Sequence, residues 1–241
     1  MDVRGLGYIG LGVGDIDAWR RYGALLGVMV EDDGSGITWR IDDRQCRVLI
    51  SPGHDDLEYA GWELPDAAAL ARAVDELEAA GHSVTAGSSG DCARRAVREL
   101  VRTQDPAGAT VELFHGPILD HVSFVSPVGV SGFTTEHLGF GHIVVGTPVH
   151  QESVAYYTEL LGFRISDVWR AGGGEVTFLH CNQRHHSIAL VPADAFGFYH
   201  FMLEARTLDD VGATFDRLLD AGAPISAGIG KHTNDHMVSF Y

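Results

Sequence analysis

Histidine carries the chemistry most visible in this sequence. Thirteen of its 241 residues are histidine, most of them beyond residue 120. His142 opens the apolar run His142-Ile143-Val144, and His200 lies in Tyr199-His200-Phe201-Met202-Leu203. Both runs have the aromatic and β-branched make-up of strands. A lone strand histidine is ordinarily a packed or surface residue. These two, however, fall at matching places of a repeated unit, where the first half of the chain carries Tyr8 and Tyr59. Repeat symmetry can bring such positions into one cleft. Two imidazoles and one carboxylate from three strands form a facial set with open positions, suited to non-haem Fe(II) or Mn(II); the ligand types admit zinc as well. Glu112, in the last strand of the first half, marks where the carboxylate of the second half is expected, and that counterpart is expected downstream of Tyr241. With tyrosines in place of histidines, the first half is expected to hold no metal.

Further polar groups gather near these histidines in sequence. Arg184-His185-His186-Ser187 follows the turn-prone pair Asn182-Gln183 and is read as the start of a strand. Strand alternation then predicts His185 and His186 on opposite faces, with His186 in phase with Ile188 and Leu190. Gly230 to His236 reads as a polar loop, and Met237 to Tyr241 as an apolar strand.

The elements that must position these groups come from an internal repeat. GYIGLGVGDIDAWRRYGALLG from Gly7 and GHIVVGTPVHQESVAYYTELLG from Gly141 each read as strand, turn and amphipathic helix. Trp19, Tyr22 and Leu26 mark one helix face, and Val154, Tyr157 and Leu161 the other, with Gly27 and Gly162 as C-terminal stops. A second pair of helices, through Leu70, Val74 and Leu77 and through Val211, Phe215 and Leu218, repeats at an offset of 141 residues. Strands are predicted at 46–50, 110–114, 175–179 and 187–191. The unit of strand, helix and several strands is used four times, two units to a half, with the joint at 126–136. The predicted fold is α+β, with mixed sheets backed by helices. The fourth unit stops short of the turn and final strand that close the second.

Composition narrows the function. With 17 basic and 33 acidic residues the formal charge is −16, which disfavours nucleic-acid and anionic-membrane partners. No apolar run reaches the ~18 residues of a membrane span, and no secretory signal is evident. The cysteines, Cys46, Cys92 and Cys181, form no C-x-x-C pair, so neither a disulfide framework nor a thiolate metal site is expected, and a reducing cytoplasm is. Gly10-Leu11-Gly12-Val13-Gly14 lacks the spacing of a dinucleotide fingerprint.

The stretches Leu138–Val144, Asn182–Ser187, His200–Glu204 and His232–Tyr241 together resemble the two-domain (type I) extradiol ring-cleavage dioxygenases of the vicinal oxygen chelate superfamily, in particular the 2,3-dihydroxybiphenyl and dihydroxynaphthalene enzymes. The resemblance covers nearly the whole chain. It implies tandem βαβββ modules in two domains: a metal-free domain over 1–130 and a catalytic domain over 137–241 whose last module is C-terminally incomplete. It implies His142 and His200 as ligands of Fe(II), with Mn(II) as an alternative, and a third ligand, a glutamate, beyond Tyr241. His186 matches the acid–base histidine, as an imidazole titrating near neutrality would suit. His232 and Tyr241 match groups that hydrogen-bond the substrate; Asn234 and Asp235 match polar pocket residues, and Phe178 and Val144 apolar contacts to the ring. The implied reaction inserts both atoms of O2 into a bicyclic catechol and opens the ring beside the diol, in aromatic-compound degradation. The implied partners are that catechol, O2 and further copies of the chain. Two other functions fit the same fold: a ligand-sequestering binding module without activity, and a glyoxalase-type metal isomerase. The stretch from His232 to Tyr241 favours ring cleavage over both.

Overall fold

Strand β1 (Gly5–Val13) is buried along its whole length, as a strand flanked on both edges and covered on both faces must be. Helix α1 (Ile16–Leu26) follows; the Asp15 carboxylate accepts from the Ala18 N–H at its start, and Gly27 at φ 83° ends it, the two expected capping devices. Strands β2 (Met29–Asp32), β3 (Ile37–Arg40) and β4 (Val48–Pro52) complete the first module. β4 lies parallel to β1, and β3 and β2 continue outward antiparallel. The second module repeats the scheme with β5 (Asp56–Glu63), α2 (Ala67–Ala79), β6 (Thr85–Ala86), α3 (Ser89–Arg95), β7 (Val97–Gln104) and β8 (Thr110–Pro117). The modules join where β5 pairs antiparallel with β1, giving the sheet order β2-β3-β4-β1-β5-β8-β7-β6. These coordinates come from a computed structural model that describes residues 1–171 and 174–241.

The second half follows the same plan. β9 (His142–Thr147) leads into α4 (His150–Ala155), which continues as one π-helical turn over Tyr156–Leu160. Strands β10 (Arg164–Ala171), β11 (Gly174–His180) and β12 (Ile188–Pro192) follow, then β13 (Gly197–Met202), α5 (Leu208–Asp220) and a short hairpin of β14 (Gly230–Lys231) and β15 (Val238–Ser239). The sheet order is β10-β11-β12-β9-β13. Among the described residues, no strand flanks β13 on the side where β8 flanks β5.

The register of the two module junctions coincides. Tyr8, Ile9 and Gly10 face Gly61, Ala60 and Tyr59; His142, Ile143 and Val144 face Met202, Phe201 and His200. Each junction also bulges at the next step, passing over Glu58 in one half and Tyr199 in the other. The correspondence of Tyr8 with His142 and of Tyr59 with His200 is therefore built into the backbone pairing.

Two local expectations need correcting, and one helix was not anticipated. Of the stretch 237–241, only Val238–Ser239 pairs as a strand, and its residues are half-buried or exposed rather than a core run. His185 and His186 lie in a bend before β12 rather than in it, so strand alternation does not govern them. The segment around Asp91-Cys92 is a helix, α3, fixed by reciprocal hydrogen bonds between Ser88 and Asp91, which is a capping box.

One hydrophobic core runs through both halves. The Trp62 ring lies 5.0 Å from Phe163 and 6.3 Å from Tyr157, and Trp19 and Trp39 each lie 6.2 Å from Phe201. Among the described residues, no helix is long and apolar enough to cross a membrane.

Candidate metal centre and active-site cleft

The inner face of the second sheet gathers the histidines. His142, first residue of β9, is buried. Its ring stacks on His186 at 3.9 Å and meets His200 edge-on at 5.6 Å between centroids. His200 is brought there because β13 pairs with β9, with His200 opposite Val144, two register positions along from His142. The close approach of the two strands depends on Gly141, where a Cβ would stand 1.9 Å from the Met202 carbonyl oxygen.

The bend carrying His185 and His186 is pinned from behind. Arg184 is buried, pairs with Glu204, and donates to the carbonyls of Thr134 (3.0 Å) and Leu138 (3.3 Å). Both histidines that follow turn inward, with their Nδ1 atoms 3.0 Å apart. Phe178 of β11 stands 5.0 Å from the His186 ring and 5.8 Å from that of His185. Val144, two residues along β9 from His142, is buried on the same face. His185 was missed by sequence reasoning, because alternation sent it to the opposite face.

The loop between β14 and β15 closes another side. His232 Nδ1 lies 3.1 Å from Asp235 Oδ1, and its Nε2 lies 3.1 Å from Ser239 Oγ and 3.2 Å from the Tyr241 hydroxyl. A carboxylate only accepts, so Nδ1 carries a proton. Burial acts against the Asp235 charge, but the Met237 N–H and His232 outweigh it and hold the carboxyl below its usual range. The Tyr241 ring stands 5.2 Å from His200, and its hydroxyl is raised by burial, so it remains a donor. Asn234 is half-buried in the same loop, and among the described residues its side chain makes no hydrogen bond. All the predicted site residues except Asn234 are thus tied to one cleft by contacts or by the sheet face they share.

The donor set suits a divalent ion. Metal-binding imidazoles must be neutral, and these are. Burial, then the neighbouring His186 and His200 rings, holds His142 well below the usual histidine value. Burial and His185 bring His186 down to about 3, and burial and His232 bring His200 down to about 4. His142 Nδ1 is buried with no hydrogen-bond partner, a state that calls for an unseen partner such as an ion. Metal–nitrogen bonds of about 2.0–2.1 Å put two ligand rings within roughly 6 Å of each other, centroid to centroid, and His142 and His200 meet that limit. His185, His186 and Asp235 also bring ligand atoms within 4.8 Å of one another, on the same cleft.

Comparison with known proteins gives the class to which this sheet topology and these gathered histidines belong. Residues 139–241 match the Glyoxalase/Bleomycin resistance protein/Dioxygenase superfamily, and residues 6–53 match dihydroxybiphenyl dioxygenase BphC D1. The chain is 43 % identical to a biphenyl-2,3-diol 1,2-dioxygenase of Paraburkholderia xenovorans, over all of this chain and 84 % of that one. It is 40 % identical to an iron-dependent extradiol dioxygenase of Rhodococcus jostii, over all of this chain and 85 % of that one. A solved structure of a halotolerant catechol dioxygenase superposes with a TM-score of 0.95 at 35 % identity, covering 99 % of this chain and 82 % of that chain. The chain therefore belongs to the vicinal oxygen chelate superfamily and, within it, to the two-domain extradiol ring-cleavage dioxygenases.

Proposed function

We propose that this protein is an Fe(II)-dependent extradiol dioxygenase that opens a bicyclic catechol, of the 2,3-dihydroxybiphenyl or 1,2-dihydroxynaphthalene type, beside its diol. Both atoms of O2 enter the product, and the reaction serves the breakdown of aromatic compounds. Residues 137–241 form the catalytic domain and residues 1–130 the metal-free one. The observation that carries this reading is the convergence of His142 and His200, both neutral, in a cleft where His142 Nδ1 lacks any other partner. Mn(II) suits the same ligand types. A carboxylate would complete this ligand set.

A divalent ion held by His142 and His200 would supply Lewis acidity that lowers the pKa of the catechol hydroxyl and redox chemistry for the reaction with O2. The protein's own groups then divide the work. His186, whose ring stacks on His142 at 3.9 Å and stands 5.0 Å from Phe178, takes a proton from the substrate and later returns it. His232, oriented by Asp235, and Tyr241 hold a substrate oxygen by hydrogen bonds. Phe178 and Val144 supply an apolar wall for the ring. The free thiols of Cys46, Cys92 and Cys181 support a reducing, cytoplasmic setting, and the exposed Leu119, Val122 and Val125 support assembly of like subunits.

The test is O2 uptake by the full natural chain, loaded with Fe(II) under anaerobic conditions and then mixed with 2,3-dihydroxybiphenyl and air. The expected outcome is one O2 consumed per catechol, with appearance of a yellow ring-opened product. A folded, iron-replete protein that consumes no O2 would overturn the assignment.

A further inference from the structure

The N-terminal half contains its own copy of the cleft, and that copy is filled. Tyr8 and Tyr59 stand at the register positions of His142 and His200. Glu112, on β8, sits across from Gly61 and is fully buried. An isolated carboxylate there would be strongly unfavourable and must face a cation. Arg95 provides it. Its Nε donates to Oε2 and its Nη2 to Oε1, each at 3.0 Å, and its guanidinium carbon lies 4.0 Å over the Tyr59 ring. Tyr8 donates to Oε2 at 2.7 Å, and Arg102, itself tied to Asp91, donates to Oε1 at 2.8 Å.

Arg95 is delivered by α3, whose position in the repeat is informative. At the 141-residue offset that relates Tyr59 to His200 and α2 to α5, residues 89–95 of α3 correspond to 230–236, the loop of His232, Asn234 and Asp235. One half uses this segment as a helix that inserts a guanidinium between two tyrosines and a glutamate. The other uses it as a polar loop beside two histidines.

We propose that the N-terminal half keeps the plan of a divalent-cation site in which the Arg95 guanidinium is the resident cation, and that Arg95 and the two tyrosines are what keep a metal ion out. Arginine stays charged in any protein environment, so the position needs no loading. Its planar fork occupies both Glu112 oxygens. Without Arg95, and with histidines at 8 and 59, Oε2 and two imidazoles make the two-nitrogen, one-oxygen set, while Arg102 still orients Oε1 from behind. The proposal borrows the ligand reading of His142 and His200 only to choose the replacement residues.

The test is made in the full chain carrying His142→Ala, His200→Ala and His186→Ala, which also breaks up the His185–His186–Asp235 group, and Co(II) bound by this background is measured and subtracted, so that the outcome is independent of the dioxygenase assignment. Tyr8→His, Tyr59→His and Arg95→Ala are added, and Co(II) is titrated with visible absorption and equilibrium dialysis. One Co(II) per chain with a d–d band is expected, and none when Arg95 is retained beside the two new histidines. A folded Arg95→Ala protein that binds no Co(II), or an Arg95-containing one that binds as much, would overturn the proposal. Should the combined variant not fold, Arg95→Gly alone decides. Its Tm is expected to fall by roughly 5–15 °C and to recover in millimolar methylguanidinium, which leaves the wild-type Tm unchanged. No recovery would reject Arg95 as a replaceable cation.

Discussion

His142 is buried with a ring nitrogen unpartnered, whereas Glu112, equally buried, is met by two arginines and a tyrosine. On the proposed reading, the first position takes an ion from outside and the second supplies its own. Replacing His142 by Ala is expected to abolish iron retention with little change in circular dichroism, because β9 is held to β12 and β13 by backbone pairing. Iron analysis after desalting checks it, and stoichiometric iron in the variant would show the ligands to be misassigned. Asp105 offers a test remote from that cleft. Burial raises its carboxyl above the usual range despite N–H donors from Ala109 and Ala107. A raised folded-state value means that the folded chain holds the proton more tightly than the unfolded one. That contribution to stability is complete below the unfolded value of about 3.9 and is lost as pH rises through the folded value. Asp105→Asn removes this dependence, so the wild-type Tm should drop relative to the variant as pH is raised from about 4. A Tm difference that does not change with pH would contradict the assignment.

At the scale of elements, the junction of β9 and β13 is the part most sensitive to a small change. Gly141→Ala would drive a methyl group into the Met202 carbonyl and separate the strands that carry His142 and His200. A destabilisation of about 3 kcal/mol or more is expected, with weakened iron binding in whatever folds, measured by denaturant unfolding and metal analysis; unchanged stability would mean the strands tolerate the extra atom. Much of this architecture was legible beforehand. The strand–helix starts at Gly7 and Gly141, the helices α2 and α5, and the pairing of Tyr8 with His142 and Tyr59 with His200 all rest on side-chain periodicity and a repeat, which survive without knowledge of the fold. What was missed has a common cause. Helix α3 has seven residues, too few to show a period or to be stable without packing, although its Ser88–Asp91 capping spacing was there to be read. The placement of His185 depends on the Arg184 clamp, whose partners Thr134, Leu138 and Glu204 lie far away in sequence. The π-helical turn at Tyr156–Leu160 left no mark on a pattern that counted Tyr157 and Leu161 as one face.

For the molecule as a whole, the shared core predicts that the halves do not melt separately. Trp62 belongs to β5 but packs on Tyr157 and Phe163 of the other half. A single calorimetric transition is expected, and Trp62→Ala should lower it as a unit, at a cost of about 3–5 kcal/mol. Two resolved transitions, or loss of signal confined to one half, would contradict this. The clamp at Arg184 reaches further still. By fastening the histidine-bearing bend to carbonyls of Thr134 and Leu138, it enlists the stretch between the halves as back wall of the chemical centre. Excising the second half at the start of β9, or grafting that half onto a foreign partner, would therefore strip away the mould against which His185 and His186 are set, even with every cleft-facing side chain retained.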